Sequence, residues 1–349
     1  MNETSQEDVV GAAPGTGGFF LPSVAVARSV DKKVRDRLNT SFPWLAENYT
    51  CLDIDPAVLA KWQASPTDFG LYFDLASAVH HSPESVNSEE NLARAQRLAD
   101  SVKRTSADVK PAERLTIRTL GPGHYDAVEV DCLLRWFDLE PENSMALLPL
   151  DDGEFDVACA VLQRALSFLE EAVPVFYGEL TALTSELVFA KPGPDAKLSF
   201  GGASSFALWG AMALNAKAHA DWWEYLPRLI HEYSHNLLFG LAADSQLVTN
   251  DTSERYRSPL RDALRPIDGI YHACYVSARE AVAMEEILAA LPRMDLGKQS
   301  KTVENYCRSI RQNSTEAHQD CRAVLDEHAR LSDLGKRVLD DTAAAMLPR

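Results

Sequence analysis

Apolar side chains fall at helical intervals along most of the chain. Phe69 to His80 shows this spacing, and Ser88-Glu89-Glu90 opens a charged, Ala-rich helix running to Lys103. Upstream, Asp55-Pro56 reads as a helix start, with an acceptor side chain followed by proline at the first helical position. A longer amphipathic pattern runs from Phe155 to about Leu180, with Val157, Val161, Leu162, Ala165, Leu166 and Leu169 on one stripe. Pro227 starts or kinks a helix that ends at Gly240. Another helix begins after Gly269 and reaches about Leu291, just before Pro292, and Lys298 to Leu347 is helical and strongly charged.

Strand patterns are fewer. Leu115-Thr116-Ile117-Arg118 alternates, and Gly121-Pro122-Gly123 breaks it. Ala127 to Val130, Glu186 to Ala190 and Lys197 to Phe200 also read as strands, with Ser205 to Trp209 continuing the sheet, and Ala242 to Asp268 is irregular. The pattern predicts a mainly α fold with a small β-sheet (α+β), the helix over 227–240 packing on the long helix that follows. Residues 1–18, polar and Gly-rich, read as a disordered tail. Residues 19–150 form a mostly helical region of a size to bind a substrate or leader peptide, and 151–349 carry the candidate chemistry.

Composition narrows the function classes. Apolar residues make up 46% and charged residues 24% of 349 positions, enough for a sizeable core. The net charge of −17 without a dense Lys/Arg block argues against nucleic acid as a partner. Six cysteines include no C-x-x-C pair, which removes zinc knuckles and thioredoxin-like chemistry. The polar start Met1-Asn2-Glu3 lacks the apolar stretch of a signal peptide, and no apolar run approaches a membrane span, so the expected location is the cytoplasm, away from membranes.

The strongest chemical signal is His231-Glu232-Tyr233-Ser234-His235. On a helix, positions i and i+4 share a face one turn apart, so two imidazoles can converge on one cation. The middle Glu points roughly 100° around the axis and is the general base of zinc hydrolases with this H-E-x-x-H spacing. Leu226, Leu229 and Ile230 before the motif and Leu237, Leu238 and Phe239 after it place these polar groups in an apolar helix, where partners are required. A third ligand is open between His272 and the glutamates Glu280, Glu285 and Glu286 of the next long helix. Between the two helices, Arg257, Arg261 and Arg265 offer planar forks that match carboxylates, or surface pairs for Asp262 and Asp268. Trp222 and Trp223, just before the motif, are candidates for a substrate groove or for plain core.

His231-Glu232-x-x-His235, Ser258-Pro259-Leu260-Arg261-x-x-x-Arg265-Pro266 and Gly269-x-x-His272 together resemble a bacterial family of H-E-x-x-H-type, 2-oxoglutarate-dependent peptide β-hydroxylases that act on ribosomally made peptide natural products. The resemblance covers residues 225–292. It implies Fe(II) held by His231, His235 and His272, with 2-oxoglutarate and O₂ as co-substrates and a precursor peptide hydroxylated on a side-chain β-carbon. Arg261 or Arg265 would hold the distal carboxylate of 2-oxoglutarate, with Arg279 a third option, and the role of Glu232 is open. Three protein ligands, a bidentate keto acid and O₂ complete six positions, whereas zinc hydrolysis needs only one open position. The competing expectation is a zinc metallopeptidase, Zn(II) replacing Fe(II) and Glu232 acting as base.

Overall fold

The computed structural model describes residues 18, 20–105, 115–139 and 144–346, so the tail expected over 1–18 lies, apart from Gly18, outside the described residues. The chain is mostly helical with a small sheet, in agreement with the sequence pattern. Backbone contacts divide it into two compact units, Ala27–Gly240 and Leu241–Arg349 with the residues preceding Ala27.

The first unit begins with helices. α1 (Val24–Ala46) buries Val30, Val34, Leu38, Phe42 and Leu45, an i, i+3/i+4 stripe. α2 (Pro56–Leu59) starts where predicted, the Asp55 carboxylate accepting the Ala57 N–H. α3 (Pro66–His81) opens with a capping box between Ser65 and Asp68, and α4 (Glu89–Thr105) follows.

The sheet is built from β1 (Thr116–Thr119), β2 (Leu147–Leu148), β3 (Glu186–Pro192), β4 (Gly202–Ala203) and β5 (Ala211–Asn215). Its order is β1-β3-β5-β4, with β2 antiparallel to the end of β3. β3 is parallel to both neighbours, Glu186 lying opposite Thr116 on one side and Ala211 on the other. The first five positions of β3 and all of β5 are buried, the continuous apolar run of parallel strands covered on both faces. β4 is antiparallel to β5.

Four expectations in this unit are corrected. Ala127 to Val130 is the start of a helix, α5 (Ala127–Phe137), because Asp126 and Glu129 cap each other's backbone N–H groups and commit the turn to α geometry. The long helix over 155–180 is two, α6 (Asp152–Ala172) and α7 (Pro174–Leu183). Pro174 cannot donate to the α6 ladder and forces Val173 out of helical geometry, at φ −138° and ψ 65°. Lys197 to Phe200 forms no strand, since the Lys197 and Leu198 N–H groups both turn to the Ser144 carbonyl. Ser205 to Trp209 is a short 3₁₀ turn, and the sheet continues in β5 after Gly210, whose φ of +90° makes the reversal.

The unit's last helix is α8 (Tyr225–Leu241), with Pro227 in its first turn. Gly240 sits in a narrow gap, where an added Cβ would lie 2.2 Å from Val30 Cγ1 and 2.7 Å from the Trp209 ring.

In the second unit, β6 (Tyr256–Arg257) and β7 (Leu264–Arg265) form a small antiparallel pair ahead of α9 (Ile267–Ala290). α9 packs chiefly on α10 (Ser300–His328) and also on α11 (Asp333–Ala345). Cys274 Sγ meets His318 Nδ1 at 3.3 Å and the Tyr271 hydroxyl donates to the Gly335 carbonyl at 2.7 Å, tying the three helices together. Among the described residues, no helix is long and apolar enough to cross a membrane.

Gly240→Ala should lower the unfolding free energy by about 1–3 kcal/mol, because the methyl overpacks against Trp209 and Val30. A denaturation midpoint equal to that of the unsubstituted protein would show that α8 docks less tightly than this geometry requires.

Candidate metal centre

α8 follows a short turn at Trp222–Glu224 in which Asp221 and Glu224 cap each other. Trp222 and Trp223 are buried, the first against Phe168 at 4.8 Å and beneath the Arg164 guanidinium, so both belong to the core rather than to an open groove. Along α8 nearly every side chain is buried; the partly accessible positions are Arg228, His231, His235 and Phe239, a stripe at helical spacing. The helix therefore presents its two motif histidines on its open side and turns the motif glutamate inward.

His231 Nε2 and His235 Nε2 are 3.2 Å apart, their ring centroids 4.9 Å apart and their planes at 70°. Phe239 stacks on His235 at 24°, fixing that ring from behind. With metal–nitrogen bonds of about 2.05 Å, a 3.2 Å separation corresponds to an N–metal–N angle of about 100°. That lies between octahedral cis and tetrahedral angles, so the imidazole pair fits two positions on one cation.

Glu232 is 3% exposed. Its Oε2 accepts from the Ser204 hydroxyl at 3.0 Å and its Oε1 lies 3.4 Å from Arg228 Nη1. The approach of β4 makes this possible: a Cβ on Gly202 would lie 2.8 Å from Glu232 Oε1, and one on Gly201 2.8 Å from Arg228 Nε. Both carboxylate oxygens are thus engaged by a hydroxyl and a guanidinium. Of the neighbouring polar groups, the Tyr233 hydroxyl donates to Glu179 and Ser234 Oγ donates to the Ile230 carbonyl. Asn236 is fully buried, and neither its amide nitrogen nor its amide oxygen has a hydrogen-bond partner.

His272 lies half-buried in the first turns of α9, in the second unit, its Nε2 4.0 Å from Asp268 Oδ2. Burial pushes its imidazole below the ordinary histidine value, and the Asp268 charge opposes this, so near neutrality it offers the uncharged ring a metal requires. The rival glutamates on α9 are engaged toward α10: Glu280 accepts from Ser314 Oγ at 2.7 Å, and Glu285 pairs with Arg311. Glu286 is half-buried on the same helix. Within either unit, among the described residues, no group of three or more His, Cys, Asp or Glu side chains is arranged to hold a metal.

The arginines differ sharply. Arg261 is exposed. Arg265, half-buried on β7, reaches back over the start of α9, its Nη1 3.9 Å from the point a Cβ on Gly269 would occupy. Gly269 and His272 are three positions apart on the same helix. Arg279 is 1% exposed, donates to the Phe20 carbonyl and lies over the Phe20 ring at 5.8 Å, a packing role. Ser204, Arg228 and Asn236 were not singled out in the sequence. The last two stand four residues either side of Glu232 and were legible from that spacing, whereas Ser204, 28 residues away, was not.

Comparison with protein-family models finds no match, and comparison with curated proteins finds none either.

His231→Ala should weaken binding of a divalent cation by more than the 10–100-fold typical of losing an outer partner, read by calorimetric titration with Fe(II) under argon. Unchanged affinity would remove this ring from the site. Asn236→Leu should raise the unfolding free energy by about 1 kcal/mol, since it replaces a buried amide lacking partners with an apolar group of similar size. A clear loss of stability in that variant would mean the amide is satisfied in solution.

Proposed function

We propose that this chain is an Fe(II)- and 2-oxoglutarate-dependent oxygenase that hydroxylates a side-chain β-carbon of a ribosomally made precursor peptide. The observation that carries the reading is the pair of imidazole nitrogens 3.2 Å apart on the open stripe of α8. His231 and His235, with His272 from α9, would hold the iron. Bound together, iron and 2-oxoglutarate supply an oxidation in which O₂ is consumed, 2-oxoglutarate leaves as succinate and CO₂, and a peptide C–H becomes C–OH.

The chain's own residues prepare that chemistry. Arg265, on β7 just ahead of the helix that carries His272, or the exposed Arg261 four residues earlier, would receive the distal carboxylate of 2-oxoglutarate by a two-point contact. Burial keeps the His272 imidazole below the ordinary histidine value, which favours the uncharged ring that metal ligation uses. Phe239 orients His235, and Glu232 braces α8 against β4 through Ser204 and Arg228.

The peptidase reading needs Glu232 to reach a metal-bound water as a base. Its burial and the engagement of both its oxygens support bracing instead. In hydrolysis its loss would abolish turnover, whereas in oxygenation the iron and keto-acid contacts survive without it.

With Fe(II), ascorbate and air, the protein should convert 2-oxoglutarate to succinate even without its peptide, slowly and uncoupled. Arg265→Ala should reduce that conversion about tenfold or more while metal content is kept, the loss of one charge-assisted pair. Glu232→Gln should retain most of it. The idea fails if no succinate forms while Zn(II)-loaded protein cleaves peptides without oxygen and Glu232→Gln stops that cleavage.

A further inference from the structure

One stretch of this acidic chain runs against its composition. Residues 255–265, which form the β6–β7 hairpin, hold four arginines, at 255, 257, 261 and 265, against one acid, Asp262, whereas acidic residues outnumber basic ones by 51 to 34 over the chain. Leu260 and Leu264 are 46% and 61% exposed, and no other large apolar side chain is exposed among the described residues of the second unit.

The strand register sorts these side chains. Tyr256 lies opposite Arg265, and Arg257 opposite Leu264. Successive positions of a strand point to opposite faces, so Tyr256 and Arg265 share one face and Arg257 and Leu264 the other. The first face is half-buried and clamped. The Tyr256 hydroxyl donates to Glu254, and its ring lies 5.1 Å from His328. Arg330 donates to Glu254 at 2.8 Å, while Asn250 donates to the His328 carbonyl at 3.0 Å and accepts from the Arg330 N–H. The base of the hairpin is thereby tied to the end of α10.

The second face is exposed. The Arg257 guanidinium makes no hydrogen bond or ion pair among the described residues, and Leu264 stands across from it in solvent. Arg261 and Leu260, in the loop joining the strands, repeat this combination of an unpaired guanidinium and an exposed leucine. The flanking acids do not serve them. Glu254 is held by Tyr256, Arg330 and Asn250, Asp251 accepts from the Ser253 N–H, and Asp268 stands on α9, 4.0 Å from His272. The two strands also form a sheet of their own, so among the described residues each has an edge with no strand beside it.

Exposed leucines beside unpaired cations on an open strand edge fit an extended peptide that brings carboxylates to the arginines and apolar side chains to the leucines. An anionic bilayer or a nucleic acid would press a broad negative surface against a chain of net charge −17, which opposes both, whereas a short peptide touches the hairpin alone. We propose that the outer face of this hairpin docks an acidic, leucine-bearing segment of a peptide partner in extended form. That the partner is the precursor peptide rests on the oxygenase reading; the docking uses no metal and does not. It leaves Arg265, on the inner face, as the arginine for the keto acid.

The test uses the full chain without metal and a labelled peptide of about twelve residues built from Glu, Leu and Ser, read by fluorescence anisotropy at about 0.1 M salt. Saturable binding is expected. Arg257→Glu should weaken it about fivefold or more, because an attraction becomes a repulsion. Leu264→Ser should weaken it by a smaller factor, as should replacing every Leu of the peptide by Ser. Arg308→Gln on α10, paired with Glu304 at the surface, should leave it unchanged. No saturable binding up to about 1 mM overturns the proposal, as does equal affinity in Arg257→Glu and the unsubstituted chain. Co-sedimentation with phosphatidylserine vesicles that Arg257→Glu abolishes overturns it in favour of a membrane surface. A chain that binds the peptide yet forms no succinate keeps the docking face and counts against the oxygenase reading alone.

Discussion

A helix that carries His, Glu, Ser, His and Asn within six residues and is buried along most of its surface must find a partner for nearly every polar atom it holds. α8 meets this constraint by sorting, the Asn236 amide excepted. Tyr233 reaches Glu179, Ser234 turns back on its own helix, and Glu232 is taken up by Ser204 and Arg228. The glycines at 201, 202 and 240 remove the side chains that would otherwise hold neighbouring backbone and rings away. Once the inward groups are fixed, the rotation of α8 is fixed too, and His231 and His235 fall on the stripe left open. The i, i+4 spacing sets the two rings one turn apart on that stripe, and their side-chain rotamers bring the nitrogens to 3.2 Å.

This sorting bears on the choice between oxygenase and peptidase. In H-E-x-x-H hydrolases the glutamate works at the metal, and its value lies in a free carboxylate edge. Here both oxygens of the same residue are taken up, one by Ser204 beside β4 and the other by Arg228 one turn earlier on α8. A carboxylate so held anchors α8 against β4. Such an arrangement is compatible with the proposed oxygenation, which draws on neutral imidazoles and an arginine and needs no carboxylate base.

Much of the fold was legible in the sequence, and the exceptions share a physical character. The helices α3, α4, α8 and α9 were readable because their periodicity is long and their ends carry caps, prolines or glycines. α5 was misread as a strand because four alternating residues carry little information, while the reciprocal cap that decides the matter joins Glu129 inside that stretch to Asp126 just before it. The break at Pro174 was present in the sequence as a proline inside a helical pattern, and the apolar stripe on either side masked it. β5 escaped because a short, wholly apolar segment has no period, and its membership of the sheet depends on β3, some 20 residues earlier. At the site, the two histidines were legible from local spacing. Ser204 was not, because it is brought to Glu232 only by the pairing of β4 with β5.

Groups left without partners are informative in proportion to how thoroughly the rest of the molecule satisfies its own. Asn236, Arg97 Nη1 and Arg118 Nε are buried polar atoms in a chain where carboxylates are abundant and most cations are paired. Acidic residues outnumber basic ones by 51 to 34, so an arginine that lacks an acceptor does not lack one for want of supply. Packing has kept the nearest carboxylates at other work: Asp126 and Glu129 cap α5, Asp31 holds Arg35 and the Trp209 indole, and Glu186 holds Tyr125.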